Sequence, residues 1–400
     1  MSTPVERRHL FSPYDYEVHV DPYPTYERLR REAPVYRNDE FDFWALSRHA
    51  DVLAAFRNID GFSNANGVSL DPSAYGPEAH RVMSFLAMDP PRHTRMRTLI
   101  GKGFTPRTVA GMEARIREIT VEHLTPALEN GTFDFIADFA GRLPMDVISE
   151  LIGVPTVDRP ELRRLADLVV HREEGLFDVP VAGQEAALEL VVYYAEMVKL
   201  RRVHRSDDLT SELLDAEIDG DKLTDNEIIA FLFLMVVAGN ETTTKLLGNA
   251  WYWAARNPEQ AAKVFADPSR IPSWVEETLR FDASSQMVLR TTRSDLEVAG
   301  TVIAEGERVL LLIGSANRDE LVFENADAFD IDRDTTKLVS FGSGRHFCMG
   351  APLARMETRV ALEEIVARID SYSIDEAAAE WVHSVNVRGF ATLPTTVEVR

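Results

Sequence analysis

The sequence predicts a mainly α protein, built as a large helical body with one long central helix and small β-sheets. Nearly every ordered stretch between about residues 50 and 282 has apolar residues at helical spacing. One of these patterns starts at a capping box, Thr224 to Glu227, and continues to Pro258, about 33 residues or roughly 50 Å. Short alternating segments lie near the two ends of the chain, so both ends are expected to feed the sheets.

Each element follows from its local pattern. Helical spacing predicts helices over residues 109–130, 143–152, 159–171 and 184–202, besides the central one. Alternation predicts strands over residues 35–36, 43–46, 296–302, 309–312 and 396–400. No linker, low-complexity tract or repeat interrupts these elements. We therefore expect a single domain over residues 1–400, β-rich near 20–60 and 285–400 and helix-rich from about 90 to 283.

The composition restricts where the protein works. It carries 43 Lys+Arg against 65 Asp+Glu, a net charge of −22, which argues against binding nucleic acid or an anionic membrane. The first residues lack the apolar segment of a signal peptide, and the longest apolar run, 228–238, is too short to span a bilayer. With one cysteine, no intramolecular disulfide can form. We expect a soluble, cytoplasmic protein without a membrane anchor.

The central helix changes character at its middle. Its first half is apolar all round, which is typical of a buried helix, and the sequence then turns to AGNETT at residues 238–243. A buried glycine, carboxylate and hydroxyl all cost stability there, and Thr242 can donate to the carbonyl of Ala238. These groups form either a polar network between two core helices or a proton path beside a flat ligand. The small residues beside Glu241 and Thr242 favour the second interpretation.

Cys348 is the single cysteine of the chain and lies in FGSGRHFCMG, residues 341–350. A helical pattern starts at about Gly350, and a helix N-terminus favours thiolate over thiol. The sulfur is then a nucleophile, with His346 as a nearby base, or a metal ligand; the alternative is a small buried hydrophobe. The surrounding glycines favour metal ligation.

Three further arrangements of charge are noteworthy. Glu277 and Arg280 lie at i,i+3 on one predicted helix, a spacing that by itself indicates little. His93 and Arg97 lie at i,i+4 near the start of another helix and could together hold a carboxylate. Arg290 falls where an apolar stretch enters a strand, which is an unusual place for an arginine unless it meets an anion.

These motifs together resemble the cytochromes P450 of the soluble bacterial type. FGSGRHFCMG is similar to the haem-binding loop FGxGxHxCxG at every fixed position, AGNETT to the oxygen-activating stretch AGx(D/E)TT, and EETLR to the ExxR element. HTRMR and ANRD, at residues 93–97 and 316–319, are similar to typical bacterial segments. The five motifs occur in the correct order, and the resemblance covers roughly residues 20–400. The resemblance implies the cytochrome P450 fold and a haem-thiolate monooxygenase.

The resemblance also implies roles for single residues. Cys348 would be the axial thiolate on the iron of haem b, with the amides that follow it, including that of Gly350, donating to the sulfur. Glu241 and Thr242 would be the catalytic acid and alcohol that guide protons while the co-substrate O2 is activated. The other cofactor-binding residues are those matched to the propionate sites, His93, Arg97, Arg290 and His346, and the aromatic residue near the haem, Phe341.

One element departs from the family pattern. Glu277 and Arg280 match a structural pair behind the haem loop, which the family completes with an arginine in a Pro-x-Arg-Phe segment. Here residues 326–329 read ADAF and lack both the proline and the arginine. We expect Arg333 or another donor to substitute.

The implied activity is insertion of one atom of O2 into a small lipophilic substrate, by hydroxylation or epoxidation. Electrons would come from a ferredoxin and its reductase, with Lys102, Arg107, Arg355 and Arg359 as a docking patch or as ordinary solvated charge. Two alternatives are a peroxide-driven peroxygenase and a non-enzymatic haem protein that senses or carries a ligand. The predicted substrate pocket is lined by Phe85, Leu86, Ala238, Met287, Val288 and Phe390.

Overall fold

A computed structural model of the protein describes residues 9–102 and 104–400 and confirms the mainly α architecture with small sheets. The expectation about a signal peptide falls partly on residues 1–8, outside the described residues. The α-helices are α1 Tyr16–Val20, α2 Tyr23–Glu32, α3 His49–Arg57, α4 His80–Met83, α5 Arg92–Ile100, α6 Pro106–Gly111, α7 Glu113–Asn130, α8 Leu143–Ile152, α9 Arg159–Val170, α10 Val181–Val203, α11 Leu209–Asp215, α12 Asp225–Arg256, α13 Pro258–Ala266, α14 Ile271–Phe281, α15 Ile313–Ala316 and α16 Ala351–Arg368.

The strands come mainly from the two ends of the chain, as expected. They are β1 Val35–Asn38, β2 Phe43–Leu46, β3 Phe62–Ser63, β4 Thr132–Asp134, β5 Glu217–Ile218, β6 Asp221–Lys222, β7 Met287–Thr292, β8 Leu296–Val298, β9 Thr301–Ile303, β10 Arg308–Leu312, β11 Ile369–Ile374, β12 Glu380–Trp381, β13 Phe390–Thr392 and β14 Pro394–Val399. The largest sheet has the order β1-β2-β10-β7-β3, and a second has the order β11-β14-β4. In the first, Val309 of β10 pairs with Trp44 of β2 in parallel and with Arg290 of β7 in antiparallel register.

The central helix α12 begins and ends where the sequence predicts. The hydroxyl of Thr224 accepts from the amide of Glu227, and the Glu227 carboxylate accepts from the amide of Thr224 at 2.9 Å, which completes the capping box. At the other end Pro258 starts a new helix, because its ring cannot continue α12. An 18-residue window of α12 has a mean hydropathy of 1.3, which is high enough for a membrane span. The helix is nevertheless a core helix of the protein, because five helices pack around it: α8, α9, α10, α14 and α16.

Two predicted elements are wrong in detail. The helix predicted over residues 109–130 is broken at Met112, between α6 and α7, and the glycine that precedes the break is a poor helix former. The strand predicted over residues 296–302 is instead the hairpin β8–β9. Its two turn residues, Ala299 and Gly300, have φ of 47° and 81°, the left-handed pair that a two-residue hairpin requires.

Candidate functional site

The loop before α16 holds Cys348 in a fixed conformation. Gly342 and Gly344 have φ of 70° and 71°, and a Cβ at Gly344 would lie 3.0 Å from the carbonyl oxygen of Phe56. The amide of Cys348 donates to the carbonyl of Phe341 at 2.9 Å, which closes the loop. Glycine is therefore required by the backbone itself at two of the positions that the sequence singled out.

The Cys348 thiol lies in a strongly desolvating environment but remains accessible. The residue is exposed, while burial of the thiol among protein atoms raises its pKa. The amides of Gly350 and Ala351 and the charge of Arg97 oppose that rise. Desolvation outweighs these donors in the protein alone. A coordinated metal cation deprotonates such a thiol outright.

The nucleophile interpretation of Cys348 has no support from its neighbours. Among the described residues, no hydrogen bond joins Cys348 to His346. The ring of His346 instead lies 4.1 Å from that of His93, centroid to centroid. A base that is neither bonded to the thiol nor oriented by a third group does not activate it.

Four cationic or potentially cationic side chains converge near this loop: His93 and Arg97 from α5, Arg290 from β7, and His346. Neither ring nitrogen of His93, 2% exposed, has a hydrogen-bond partner among the described residues, and Nδ1 of His346 also lacks one. The pKa of His93 falls to about 4, chiefly through burial and then through the charges of Arg97 and Arg345. The pKa of His346 falls to about 2, chiefly through burial and then through His93, Arg290 and Arg97.

Arg290 is a buried cation without an ionic partner within the described residues. Its side chain is 5% exposed, and its recorded hydrogen bond runs from Nη1 to the carbonyl of Leu289 at 2.7 Å. Burial lowers the pKa of this guanidinium to about 10. Arg97 differs, since it donates to the carbonyls of Arg345 and Phe347 at 3.1 and 2.6 Å. These cationic donors repel one another, and several of them have no acceptor for their hydrogens. Such a set fits a dianionic group, such as the two propionates of haem.

Beside the middle of α12 lies a space that a water-sized probe can enter. Ala238 is exposed, and Gly239 and Thr242 are half-buried, although the helix runs through the core. The Thr242 hydroxyl donates to the carbonyl of Ala238 at 2.7 Å, the bond that the sequence predicts. A Cβ on Gly239 would only touch Ile148 of α8 at 3.5 Å, so packing against the protein does not require this glycine.

Glu241 faces away from that space, towards α9. Its side chain is 2% exposed, and Oε2 lies 3.4 Å from Nζ of Lys245. The carboxyl group of Asp167, on α9, lies close enough to Glu241 for each to influence the pKa of the other. Burial alone would raise the pKa of Glu241, but Lys245, Asp167 and Arg163 bring it below its ordinary value. Asp167 and Lys245 were missed by sequence reasoning, although the i,i+4 spacing of Glu241 and Lys245 was a usable signal.

The predicted substrate-pocket residues divide into two groups. Ala238 is exposed, and Leu86 and Val288 are half-buried, so these three remain predictions. Phe85, Met287 and Phe390 are 8%, 2% and 1% exposed. Phe390 packs on Trp381 at 4.0 Å between ring centroids. The side chains of these three belong to packed hydrophobic clusters, and their part in a substrate pocket stays a prediction.

The structural pair behind the loop has a third member, as the sequence predicts. Arg280 donates to Glu277 through Nε and Nη2 at 2.8 and 2.7 Å, and both side chains are fully buried. The remaining Arg280 donors bind the carbonyls of Asn317, Ala326 and Ala328. Nε of Arg333 donates to Glu277 at 3.3 Å, so Arg333 substitutes for the arginine absent from residues 326–329.

The expected docking cations are partly neutralised. Arg355 pairs with Glu276 at 2.5 Å, and its guanidinium lies 4.5 Å from the ring of Phe341. Arg359 pairs with Glu113 and Glu363 at 2.8 and 2.7 Å. Those two arginines therefore add little positive charge to this face. Exposed cations without an ion pair in the described part of the chain include Arg92, Lys102, Arg107 and Arg345.

Comparisons with known proteins agree with this site. A family model described as Cytochrome P450 matches residues 184–377. A relative named putative cytochrome P450 123, from Mycobacterium tuberculosis, is 59% identical over 392 residues, 98% of each protein. Among solved structures, cytochrome P450 CYP109Q5 from Chondromyces apiculatus has a TM-score of 0.87 at 37% identity and 98% coverage of both chains. CYP109E1 from Bacillus megaterium, in complex with corticosterone, has a TM-score of 0.84 at 31% identity, covering 95% of this chain and 99% of that one.

Proposed function

We propose that this chain, which belongs to the cytochrome P450 family of monooxygenases, hydroxylates or epoxidises a small lipophilic molecule with one atom of O2. The observation that carries the proposal is the set of buried, unpartnered donors beside a single accessible cysteine. Among the residues that the structure describes, the side chains of His93 and Arg290 are buried without an acceptor beyond the carbonyl of Leu289. Such an arrangement is costly unless an anionic ligand completes it.

The residues fit haem b as the group that completes the site. Cys348 would ligate the iron, the amides of Gly350 and Ala351 would donate to its sulfur, and His93, Arg97, Arg290 and His346 would hold the propionates. When bound, haem would supply the reductive activation of O2. The ring of Phe341, half-buried beside Arg355, would pack near the cofactor.

The helix α12 supplies the groups that handle protons. The Thr242 hydroxyl donates its hydrogen to the Ala238 carbonyl, so its oxygen keeps a lone pair free to accept a hydrogen bond. Glu241 is the residue before Thr242 and is the acid of the pair. The ammonium of Lys245 beside it favours the ionised carboxylate. A hydroxyl fixed at the internal space and an acid behind it support oxygen activation rather than simple ligand carriage.

The electron donor proposed is an acidic ferredoxin served by its reductase, in the cytoplasm. The unpaired cations Arg92, Lys102, Arg107 and Arg345 replace Arg355 and Arg359 as the docking patch, since those two are neutralised. On a protein of net charge −22, a local positive patch would steer an acidic partner to one face.

The proposed substrate is apolar and small enough to lie against α12. Ala238, Leu86 and Val288 present aliphatic surface there and carry no charge. The complex of CYP109E1 with corticosterone shows a relative that accepts a steroid, which supports a lipophilic substrate class here.

Reconstitution tests the proposal directly. The haem-loaded protein is titrated with a library of lipophiles while its Soret band is followed, and each ligand that displaces iron-bound water is then supplied with O2, NADPH and a surrogate ferredoxin and reductase. We expect an oxygenated product with O2 consumed in proportion. Turnover with hydrogen peroxide only would support the peroxygenase alternative. Ligand binding without any oxygenation would support a carrier or sensor.

A further inference from the structure

A lysine is buried near the middle of α12, one helical turn after Glu241. Lys245 is 4% exposed, and a buried ammonium is costly unless it is paired and hydrogen-bonded. Among the described residues, Nζ lies 3.4 Å from Oε2 of Glu241 and donates to the carbonyl of Phe390 at 3.1 Å. One ammonium thus joins the acid of α12 to the strand β13.

The methylene stem of Lys245 is held as closely as its charge. Gly389, the residue before β13, approaches α12 so closely that a Cβ there would lie 2.5, 2.8 and 2.9 Å from Cβ, Cγ and Cδ of Lys245. A side chain at residue 389 would therefore force the helix and the strand apart. Position 245 is the place where the backbone leading into β13 packs directly on α12.

A second side chain of α12 binds the same segment. Nδ2 of Asn249, one turn further along the helix, donates to the carbonyl of Arg388 at 3.4 Å. The carbonyl of Gly389 accepts from the amide of Val382 at 2.8 Å, which closes the hairpin β12–β13. Two side chains of α12 thus bind backbone carbonyls of this hairpin, and Lys245 is the charged one of the two.

We infer that Lys245 is a positioning residue that fixes the hairpin β12–β13 against α12 and thereby shapes the substrate pocket. Phe390 of this hairpin belongs to the predicted pocket, and its carbonyl is the atom that Lys245 holds. Glu241 neutralises the ammonium in its buried site, so the acid of the helix and the hairpin share one cation. The link to substrate rests on the proposed function, whereas the anchoring of the hairpin does not.

Hydrogen exchange of the purified haem-loaded protein tests the anchoring without turnover. We expect Lys245→Met to speed the exchange of amides in residues 382–392, because the carbonyl of Phe390 loses its donor. Lys245→Arg shares Cβ, Cγ and Cδ with lysine and keeps a cationic donor, so its exchange should stay near that of wild type. Lys199→Met is the matched control, since Lys199 pairs with Glu196 at the same 3.4 Å but is 76% exposed. Unchanged exchange in Lys245→Met would overturn the inference.

Titration of the haem-loaded protein with clotrimazole, a large lipophilic azole, tests the effect on the pocket, and the shift of the Soret band gives the Kd. Lys245→Met is expected to weaken binding roughly tenfold, the effect of losing one hydrogen bond to a charged group, and Lys245→Arg to restore it. Glu241→Gln keeps the bond to Phe390 and should bind the azole like wild type. Equal affinity of Lys245→Met and wild type, or equal weakening in Glu241→Gln, would overturn the link to the pocket.

The double variant Lys245→Met/Glu241→Gln separates anchoring from charge balance. Its urea midpoint should be higher than that of Lys245→Met, because no buried carboxylate is left without its cation, while its affinity for the azole should stay low. Recovery of wild-type affinity in the double variant would overturn the positioning role.

Should Lys245→Met fail to fold, Lys245→Gln replaces it, because the amide ends one bond short of the Nζ position. The same weakening is expected, and unchanged azole affinity would equally overturn the inference. A wild-type protein that binds the azole and responds to these variants, but oxygenates nothing, would refute the proposed function and leave the positioning role standing.

Discussion

Nε of Arg333 donates to Oε1 of Glu277 at 3.3 Å, and Nη2 of Arg333 donates to the carbonyl of Ala328 at 3.1 Å. Arg280 donates to the same carboxylate and the same carbonyl. One fully buried glutamate is thus shared by two arginines, which together bind the loop around residues 324–328. The arginine that completes the network therefore comes from position 333 and not from residues 326–329, and it still donates to Glu277.

Arg333→Met is expected to destabilise the protein by about 1–3 kcal/mol, because Glu277 loses one of its charged hydrogen bonds while buried. The change is measured as a lower midpoint of urea unfolding of the haem-loaded protein. Arg270→Met is the matched control, since Arg270 is 41% exposed where it pairs with Asp332, and surface pairs contribute at most about 1 kcal/mol. Equal midpoints for the two variants would contradict a structural role for Arg333.

Cys348→Ser is expected to abolish the strongly red-shifted Soret band of the reduced carbon monoxide complex, because the band depends on a thiolate ligand. The absorption spectrum of the reduced protein under carbon monoxide measures it. Ser343→Ala, in the same loop, should keep the band. A variant without the sulfur that still shows it would refute thiolate ligation.

Arg290→Met is expected to have opposite effects with and without haem. Loss of a charged hydrogen bond to a propionate, about 1.5–3 kcal/mol, predicts roughly 10- to 100-fold faster transfer of haem to a scavenger protein. The haem-free protein should become more stable, because an unpaired buried charge is removed. Arg293→Gln, at a 46% exposed side chain, is expected to change neither quantity. A destabilised haem-free variant with unaltered haem transfer would contradict the assignment.

Thr242→Val is expected to lower the product formed per NADPH by about tenfold or more while NADPH oxidation continues, because the fixed hydroxyl no longer handles protons. Product and hydrogen peroxide are quantified together in the reconstituted system. The neighbouring Thr243 is 3% exposed and has no recorded side-chain hydrogen bond among the described residues, so Thr243→Val is the matched control. An equal amount of product per NADPH in the two variants would show that Thr242 takes no part in the mechanism.

The stability of the protein should depend on pH through His19. Burial lowers the pKa of His19 to about 4, below the ordinary value of about 6.5. Between these pH values the unfolded chain binds a proton at His19 that the folded protein does not. The contribution of neutral His19 to the free energy of unfolding is therefore complete above about pH 6.5 and is lost as the pH falls towards 4. As the pH falls, the urea midpoints of wild type and His19→Gln should converge. The difference between their free energies of unfolding should change by up to about 3 kcal/mol. Parallel curves would contradict the prediction.

Local signals predicted the elements whose ends they mark. The capping box at Thr224 and the proline at 258 define α12, and alternation alone located β2 at Phe43–Leu46. The hairpin at Ala299 was missed because a strand pattern continues through its turn. Motifs located the residues near Cys348, and the absence of a local arginine pointed to Arg333. Asp167 could not be found this way, because only the packing of α9 on α12 brings it to Glu241.

The hydrophobic helix α12 illustrates a limit of reading hydropathy alone. Its length and its window hydropathy of 1.3 would assign it to a lipid bilayer, although 56% of that window is buried inside the protein. Glu241 and Lys245 lie near its middle, and charged residues at a helix centre each oppose insertion by about 2.5–3.5 kcal/mol. These two charged residues therefore favour folding of α12 into its own protein over insertion into a membrane.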